Sequence, residues 1–164
     1  NIFRSLLKAI SRSDRGHHCV TVWKHPAEDG SQWLNEEDLD NKNIDITISL
    51  NRGADMLANA DVVVSFYSTL IYEAMYYGTP SLLLHIGPVN MPQLYVDQLG
   101  LAEVVTTQEE LGNFFRTKDP SVMRSNVYLR KKALLQEGVF FSDGNATAKV
   151  VHVVEAALND KKSC

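Results

Sequence analysis

The chain is predicted to have an α/β fold in which helices sandwich a Rossmann-like parallel sheet. Short apolar runs alternate with helical patterns along the chain, which is typical of a parallel sheet. The β-branched run Asp61 to Ser65 suits a strand that is buried on both faces. Gly78 and Thr79-Pro80 then end a helix directly before the apolar run Ser81 to Leu84. Together these segments predict a complete strand–helix–strand unit.

The other elements follow from hydrophobic periodicity, capping residues and turn residues. Further strands are predicted at Cys19 to Trp23, Ile44 to Leu50 and Ala102 to Val105. Helices are predicted at Ile2 to Ser11, around Trp33 to Asp38, and at Arg52 to Asn59, Met91 to Leu99, Gln108 to Phe115, Pro120 to Leu135 and Asn145 to Leu158. Thr106-Thr107 before Gln108-Glu109-Glu110 predicts a capping-box-like start to the helix through Phe115. The last helix carries an apolar stripe of Val150, Val151, Val154 and Leu158. We expect right-handed crossovers and a single domain over residues 1–164.

Composition excludes several classes of protein. Apolar residues make up 45% of the chain and charged residues 22%, as in ordinary globular proteins. The net charge of −4 argues against a nucleic-acid binder, and no apolar run is long enough for a membrane helix. The two cysteines, Cys19 and Cys164, make no disulfide framework, so a cytoplasmic location is expected. Because the chain starts at Asn1 without a methionine, we expect it to be part of a longer protein.

The main candidate site lies between the strand ending at Ser65 and the helix that follows it. Ser68 and Thr69 stand where that helix should begin, and a helix N-terminus offers unpaired N–H groups and a partial positive charge to a phosphate. Glu73 follows on the same face and can accept hydrogen bonds from hydroxyl groups. The alternative is that Ser68 or Thr69 only caps the helix and Glu73 only complements its dipole.

Three further places at strand ends are candidates. Lys24 and His25 follow the strand that begins at Cys19 and can neutralise a diphosphate, unless they only pack locally or face solvent. His85 and Gly87 follow the strand Ser81 to Leu84, where Gly87 would allow close backbone approach. Tyr67, like Phe66, can either stack on a base or sugar or pack beneath the loop.

No metal site is predicted, and no cofactor is expected. His17, His18 and His152 have no metal-ligand spacing with one another or with the cysteines. The basic residues of the C-terminal helices are predicted to form a solvated face, and the tyrosines on either side of Glu73 are predicted to pack along their helix. These residues are Arg116, Arg124, Arg130, Lys131 and Lys132, and Tyr72, Tyr76 and Tyr77.

The central block resembles the nucleotide-binding domain of GT-B glycosyltransferases and related sugar-nucleotide enzymes. Its matching positions are Ala60-Asp61, Val62 to Val64, Ser65, Ser68-Thr69, Glu73-Ala74, Gly78 and Pro80. The resemblance implies that Ser68 and Thr69 face the donor phosphates and that Glu73 faces the ribose. Trp23-Lys24-His25-Pro26 is similar to a segment of the capsule and teichoic-acid polymer transferases.

The resemblance implies the C-terminal half of a two-domain GT-B enzyme that transfers a sugar or related group from a nucleotide donor. The acceptor would be a glycan or surface polysaccharide bound by an N-terminal domain, with peripheral membrane contact open to the full-length protein. Alone, this half is expected to be inactive, and no catalytic residue stands out. One alternative is a non-hydrolysing UDP-N-acetylglucosamine 2-epimerase, although the Ser-Gly-Gly loop and His-Arg-Arg-Glu-Asn segment of that class are absent from this sequence. The other is a non-catalytic nucleotide-binding domain.

Overall fold

The protein is an α/β protein built from parallel strands and flanking helices. Its computed structural model describes residues 2–13, 15–23, 42–49, 53–66, 68–87, 98–137 and 145–160. The strands of these residues are β1 (His18–Trp23), β2 (Ile44–Ser49), β3 (Val63–Ser65), β4 (Ser81–Leu84) and β5 (Glu103–Val105). The helices are α1 (Ile2–Ser11), α2 (Ala54–Asn59), α3 (Leu70–Tyr77), α4 (Gln108–Thr117), α5 (Pro120–Gln136) and α6 (Ala146–Asp160). The predicted α/β fold is therefore confirmed.

The strands form two parallel sheets within the described part of the chain. One sheet pairs β1 with β2, and the other has the order β3-β4-β5. The sequence predicted a single sheet covered on both faces. Leu82, Leu83 and Leu84 meet that expectation, since each is 0% exposed. The β1–β2 sheet does not, because Cys19 and Asp45 on one of its faces are exposed.

Both sheets contribute to one apolar core. Helix α1 supplies Leu6, Leu7 and Ile10, which lie in the same cluster as strand residues of both sheets. Burial of a large aliphatic side chain contributes about 1.5–3 kcal/mol, so this shared cluster stabilises both sheets together. Its other buried members are Ala9, Ile44, Leu82, Leu84, Val105, Leu111, Phe114 and Met123.

The unit β3–α3–β4 is closed at its far end by a tight turn. Gly78 takes the left-handed conformation with φ 72°, and its N–H reaches the carbonyl oxygens of Ala74 and Met75. The hydroxyl of Thr79, which is fully buried, donates to the carbonyl oxygen of Leu57 at 2.6 Å. These bonds fix where α3 ends and β4 begins, as the Gly-Thr-Pro signal predicted.

The chain divides into two compact units, Asn1–Val127 and Tyr128–Cys164. In the second unit, Val150, Val151 and Val154 of α6 are exposed, although the sequence predicted an apolar stripe there. The helices predicted around Trp33 to Asp38 and over most of Met91 to Leu99 lie outside the described residues. Over the described ranges, no helix is long and apolar enough to cross a membrane.

Candidate functional site

The candidate site is the edge of the larger sheet at which β3, β4 and β5 all end. The strands are parallel, with Ser65 opposite Leu83 and Leu84 opposite Val105. The loops that follow the three strands are therefore neighbours along one edge. Parallel sheets of this class bind their ligands at such an edge.

Ser68 caps the start of α3. Its Oγ accepts a hydrogen bond from the N–H of Leu70 at 3.2 Å, and its carbonyl oxygen accepts one from the N–H of Ile71 at 3.2 Å. Thr69 has helical backbone angles (φ −61°, ψ −15°), and its side chain makes no capping hydrogen bond. The sequence left open which hydroxyl caps the helix, and the structure assigns the cap to Ser68.

The hydroxyl groups at this helix start keep donors for a ligand. Ser68 Oγ accepts from Leu70, and a hydroxyl group that accepts one hydrogen bond can still donate another. The side chain of Thr69 is exposed beside it. Helix α3 is eight residues long, and its dipole places about half a positive charge at this end. The start of α3 can therefore hold an anion such as a phosphate.

Glu73 lies in the first turn of α3 and is exposed. Thr69 and Glu73 are four residues apart, so they share one face of the helix. Their α-carbons are about 6 Å apart along the axis, from a rise of about 1.5 Å per residue. One ligand can therefore contact a hydroxyl donor at the helix start and a carboxylate acceptor one turn further on.

His85 comes to the same edge from β4. Its backbone N–H donates to the carbonyl oxygen of Val105 at 2.8 Å. The side chain is half-buried, and Nε2 is shielded from solvent with no hydrogen-bond partner in the described chain. Gly87 is exposed two residues further on with φ 125°, a conformation that favours glycine. Among the described residues, His85 thus carries an unsatisfied polar atom directly after β4.

The start of α4, at the end of the β5 loop, is already filled by its own side chain. Thr107 Oγ1 accepts from the N–H of Glu110 at 3.1 Å, and Glu110 Oε2 accepts from the N–H of Thr107 at 3.2 Å. The same oxygen accepts from the N–H and hydroxyl of Thr106 at 2.7 and 3.0 Å. These bonds, led by the one from the Thr106 backbone, lower the pKa of Glu110. The predicted capping box is confirmed, and its negative charge disfavours an anionic ligand.

The remaining predicted contacts divide into three groups. Lys24, His25 and Tyr67 lie outside the described residues. Phe66 packs against the core, which favours the packing alternative over stacking on a ligand. The ring of Tyr76 meets the ring of Tyr77 edge-on, with centroids 5.5 Å apart.

The prediction that Arg124 belongs to a solvated basic face is wrong. Its guanidinium donates to the carbonyl oxygen of Ala60 at 2.7 Å, and the side chain is half-buried. This bond joins α5 to the segment that leads into β3. It depends on tertiary packing, which helix periodicity does not report.

One group of polar residues was not expected from the sequence. His17, Cys19 and Asp45 bring one possible ligand atom each to within 4.8 Å of one another on the β1–β2 sheet. His17 and Cys19 are two residues apart, but Asp45 joins them only through the pairing of β1 with β2, which spacing along the sequence does not report.

The fold and the edge together define a Rossmann-like α/β protein with an open helix start at the carboxyl end of its sheet. Comparisons of the chain with protein-family models, with curated proteins and with solved structures found no match.

Proposed function

We propose that the chain is the nucleotide-sugar-binding half of a GT-B glycosyltransferase. Its reaction would transfer a sugar, or a related group, from a nucleotide donor to a glycan or surface-polysaccharide acceptor. The observation that carries the proposal is the start of α3, where Ser68 and Thr69 present hydroxyl groups at the carboxyl edge of a parallel sheet. Glu73 lies one turn further along the same helix.

In this proposal the helix start binds the donor diphosphate and Glu73 binds the ribose. The O–H groups of Ser68 and Thr69 donate to phosphate oxygens and add to the helix dipole. The carboxylate of Glu73 accepts hydrogen bonds from the two ribose hydroxyls, at a distance from the phosphates that keeps like charges apart. This division of roles explains why a helix that binds an anion also carries an exposed acid in its first turn.

The chemical contribution of these residues is electrostatic. When the bond from the sugar to the diphosphate breaks, negative charge grows on the leaving phosphate. Fixed donors at the start of α3 stabilise that charge without having to reorganise, which lowers the barrier.

We place the enzyme in the cytoplasm. Cys19 is a free thiol on an exposed strand face, which suits a reducing compartment.

The proposal is tested by titrating the protein with UDP, CMP, CDP and GDP, with binding detected by thermal shift and by NMR of the backbone amides. We expect one nucleotide to bind and to shift the amides of residues 68–73. Glu73→Ala should weaken its binding by roughly tenfold or more, which corresponds to about 1.4 kcal/mol.

The matched control is Glu109→Ala. Glu109 is also an exposed glutamate in the first turn of a helix, but that helix is α4. The Glu109→Ala variant should bind the nucleotide as tightly as the wild type does. Equal weakening by both changes, or no binding of any of the four nucleotides, would contradict the proposal.

A further inference from the structure

The exposed face of the β1–β2 sheet carries three different metal-ligating side chains in one place. His17, Cys19 and Asp45 offer an imidazole nitrogen, a thiol sulfur and a carboxylate oxygen that all lie within 4.8 Å of one another. His17 Nε2 and Asp45 Oδ1 are 3.6 Å apart. This cluster is separate from the edge of the β3–β4–β5 sheet discussed above.

Strand pairing brings the three residues together. His17 and Cys19 are two residues apart in extended backbone, so their side chains point to the same face. Cys19 is the direct partner of Asp45 in the parallel pair. The N–H of His18 donates to the carbonyl oxygen of Asn43 at 2.9 Å, which holds the backbone beside His17 in place. The cluster is thus fixed by the register of β1 against β2.

The neighbouring histidine faces the other way. His18 Nε2 is hydrogen-bonded to Ser13 Oγ at 2.7 Å, and Ser13 is buried. The ring of His18 is therefore held by the turn after α1, and the ligand set on the exposed face is His17, Cys19 and Asp45.

Sulfur, nitrogen and oxygen donors in one set match zinc-class ions. Zinc binds thiolate at about 2.3 Å and imidazole or carboxylate at about 2.0–2.2 Å, in tetrahedral geometry. Those lengths place the ligand atoms roughly 3.3–3.8 Å apart, so the three side chains need only small rotations to close on an ion. They are free to make them, since the side chains of His17 and Asp45 are 52% and 73% exposed.

We propose that His17, Cys19 and Asp45 form a binding site for a zinc-class divalent cation, and within the described residues they supply three of its ligands. The imidazole binds through Nε2, and the thiol of Cys19 loses its proton to water as the metal–sulfur bond forms. Mg²⁺ and Ca²⁺ are not expected to compete, because they prefer oxygen ligands alone.

The test is a titration of the reduced 164-residue chain with Co²⁺, followed by Zn²⁺ as competitor. Co²⁺ gives an ultraviolet absorption band when a thiolate binds it. We expect one equivalent of Co²⁺ with this band, displacement by Zn²⁺ and no displacement by Mg²⁺. Cys19→Ser should abolish the band, and Asp45→Asn should weaken affinity by roughly tenfold or more.

Matched controls come from the other cysteine and from another exposed histidine. The chain has two cysteines, and Cys164→Ser should leave the band unchanged. His152→Ala removes an exposed histidine of α6 and should also leave binding unchanged. Circular dichroism and melting in EDTA must match the wild type for Cys19→Ser; if they do not, His17→Gln replaces it and should weaken binding to a similar extent.

Several outcomes would overturn the proposal. The first is that Co²⁺ does not bind stoichiometrically. The others are that the absorption band remains in Cys19→Ser, that it is absent in Cys164→Ser, or that Asp45→Asn binds Co²⁺ as tightly as the wild type. A shift to dimer on gel filtration when Co²⁺ is added would show an ion bridging two chains instead of the site proposed here.

Discussion

Helices α3 and α4 follow strands of the same sheet, but they are built in opposite ways. At its start, α3 has a neutral serine cap and a threonine hydroxyl that makes no cap bond. The start of α4 is closed by a complete capping box with a carboxylate in it. At the other end, α3 is fixed by the buried hydroxyl of Thr79, whereas α4 ends on an exposed hydroxyl, that of Thr117.

The comparison shows that α4 is stabilised at its start, whereas α3 is stabilised elsewhere and its start can bind a ligand. At the start of α4, the carboxylate of Glu110 accepts from the N–H groups of Thr106 and Thr107, so a ligand anion would meet or have to displace that carboxylate. Helix α3 is fixed by its buried residues and its C-terminal turn. Its start carries no acidic side chain before Glu73. A ligand can therefore bind at the start of α3 without disrupting the contacts that stabilise this helix.

The largest change in the free energy of unfolding is expected at the C-terminal ends of α3 and α4. Thr79→Val removes a buried hydroxyl and leaves the carbonyl oxygen of Leu57 without this partner, so we expect a loss of about 1–3 kcal/mol in the free energy of unfolding. Thr117 donates to the carbonyl oxygen of Asn113 at 2.9 Å on the surface. Thr117→Val should stay within about 0.5 kcal/mol of the wild type. Urea denaturation measures both, and equal losses would contradict the contrast.

An intermediate effect is expected at the two helix starts. Ser68→Ala and Thr107→Ala each remove a cap and should each cost about 1 kcal/mol without ligand. Inorganic pyrophosphate at ten times the Kd of the wild type should then stabilise the wild type and Thr107→Ala by about 1.4 kcal/mol. Ser68→Ala should gain much less, because its anion site has lost a donor. Thermal melts with and without pyrophosphate decide this, and the same gain in all three proteins would place the anion elsewhere.

The smallest effect is expected from acid. The folded-state pKa of Glu110 is lowered below its ordinary value near 4.5 by hydrogen bonds from Thr106 and Thr107. Its contribution to stability is therefore present above pH 4.5 and is lost as the pH falls through the lowered folded-state value. Glu110→Gln should make the acid limb of the stability curve slightly shallower in melts recorded from pH 6 to pH 3. An unchanged slope would show that the capping carboxylate does not couple to folding.

Local signals in the sequence predicted the helix ends well. The turn at Gly78 and the capping box of Thr107 and Glu110 each depend on residues three to five positions apart, so the sequence contains the whole interaction. The order of strands and helices follows from the same kind of information. The position of the candidate site at a strand end was predicted for this reason, whereas the ligand roles of Ser68, Thr69 and Glu73 stay predictions.

Features that depend on pairing between distant segments could not be predicted in the same way. Apolar patterning identifies β1 and β3 as strands but does not say which edges join, so the division into two sheets was not expected. Asp45 meets Cys19 only through the register of β1 against β2. Arg124 reaches Ala60 only because α5 packs near the start of β3. Each of these contacts is set by packing over long sequence distances.

The all-parallel pairing also bears on how the chain folds. Parallel neighbours cannot be joined by a tight hairpin, so every strand pair must wait for a long crossover to close. The pairing of Val63 with Ser81 closes the shortest of these loops, shorter than those from Leu82 to Glu103 or from His18 to Ile44. Loop-closure entropy is lowest there, and α3 and its Gly78 turn lie within that loop. The segment that carries the candidate site is therefore the one best suited to form early and to act as a template for the strands that follow.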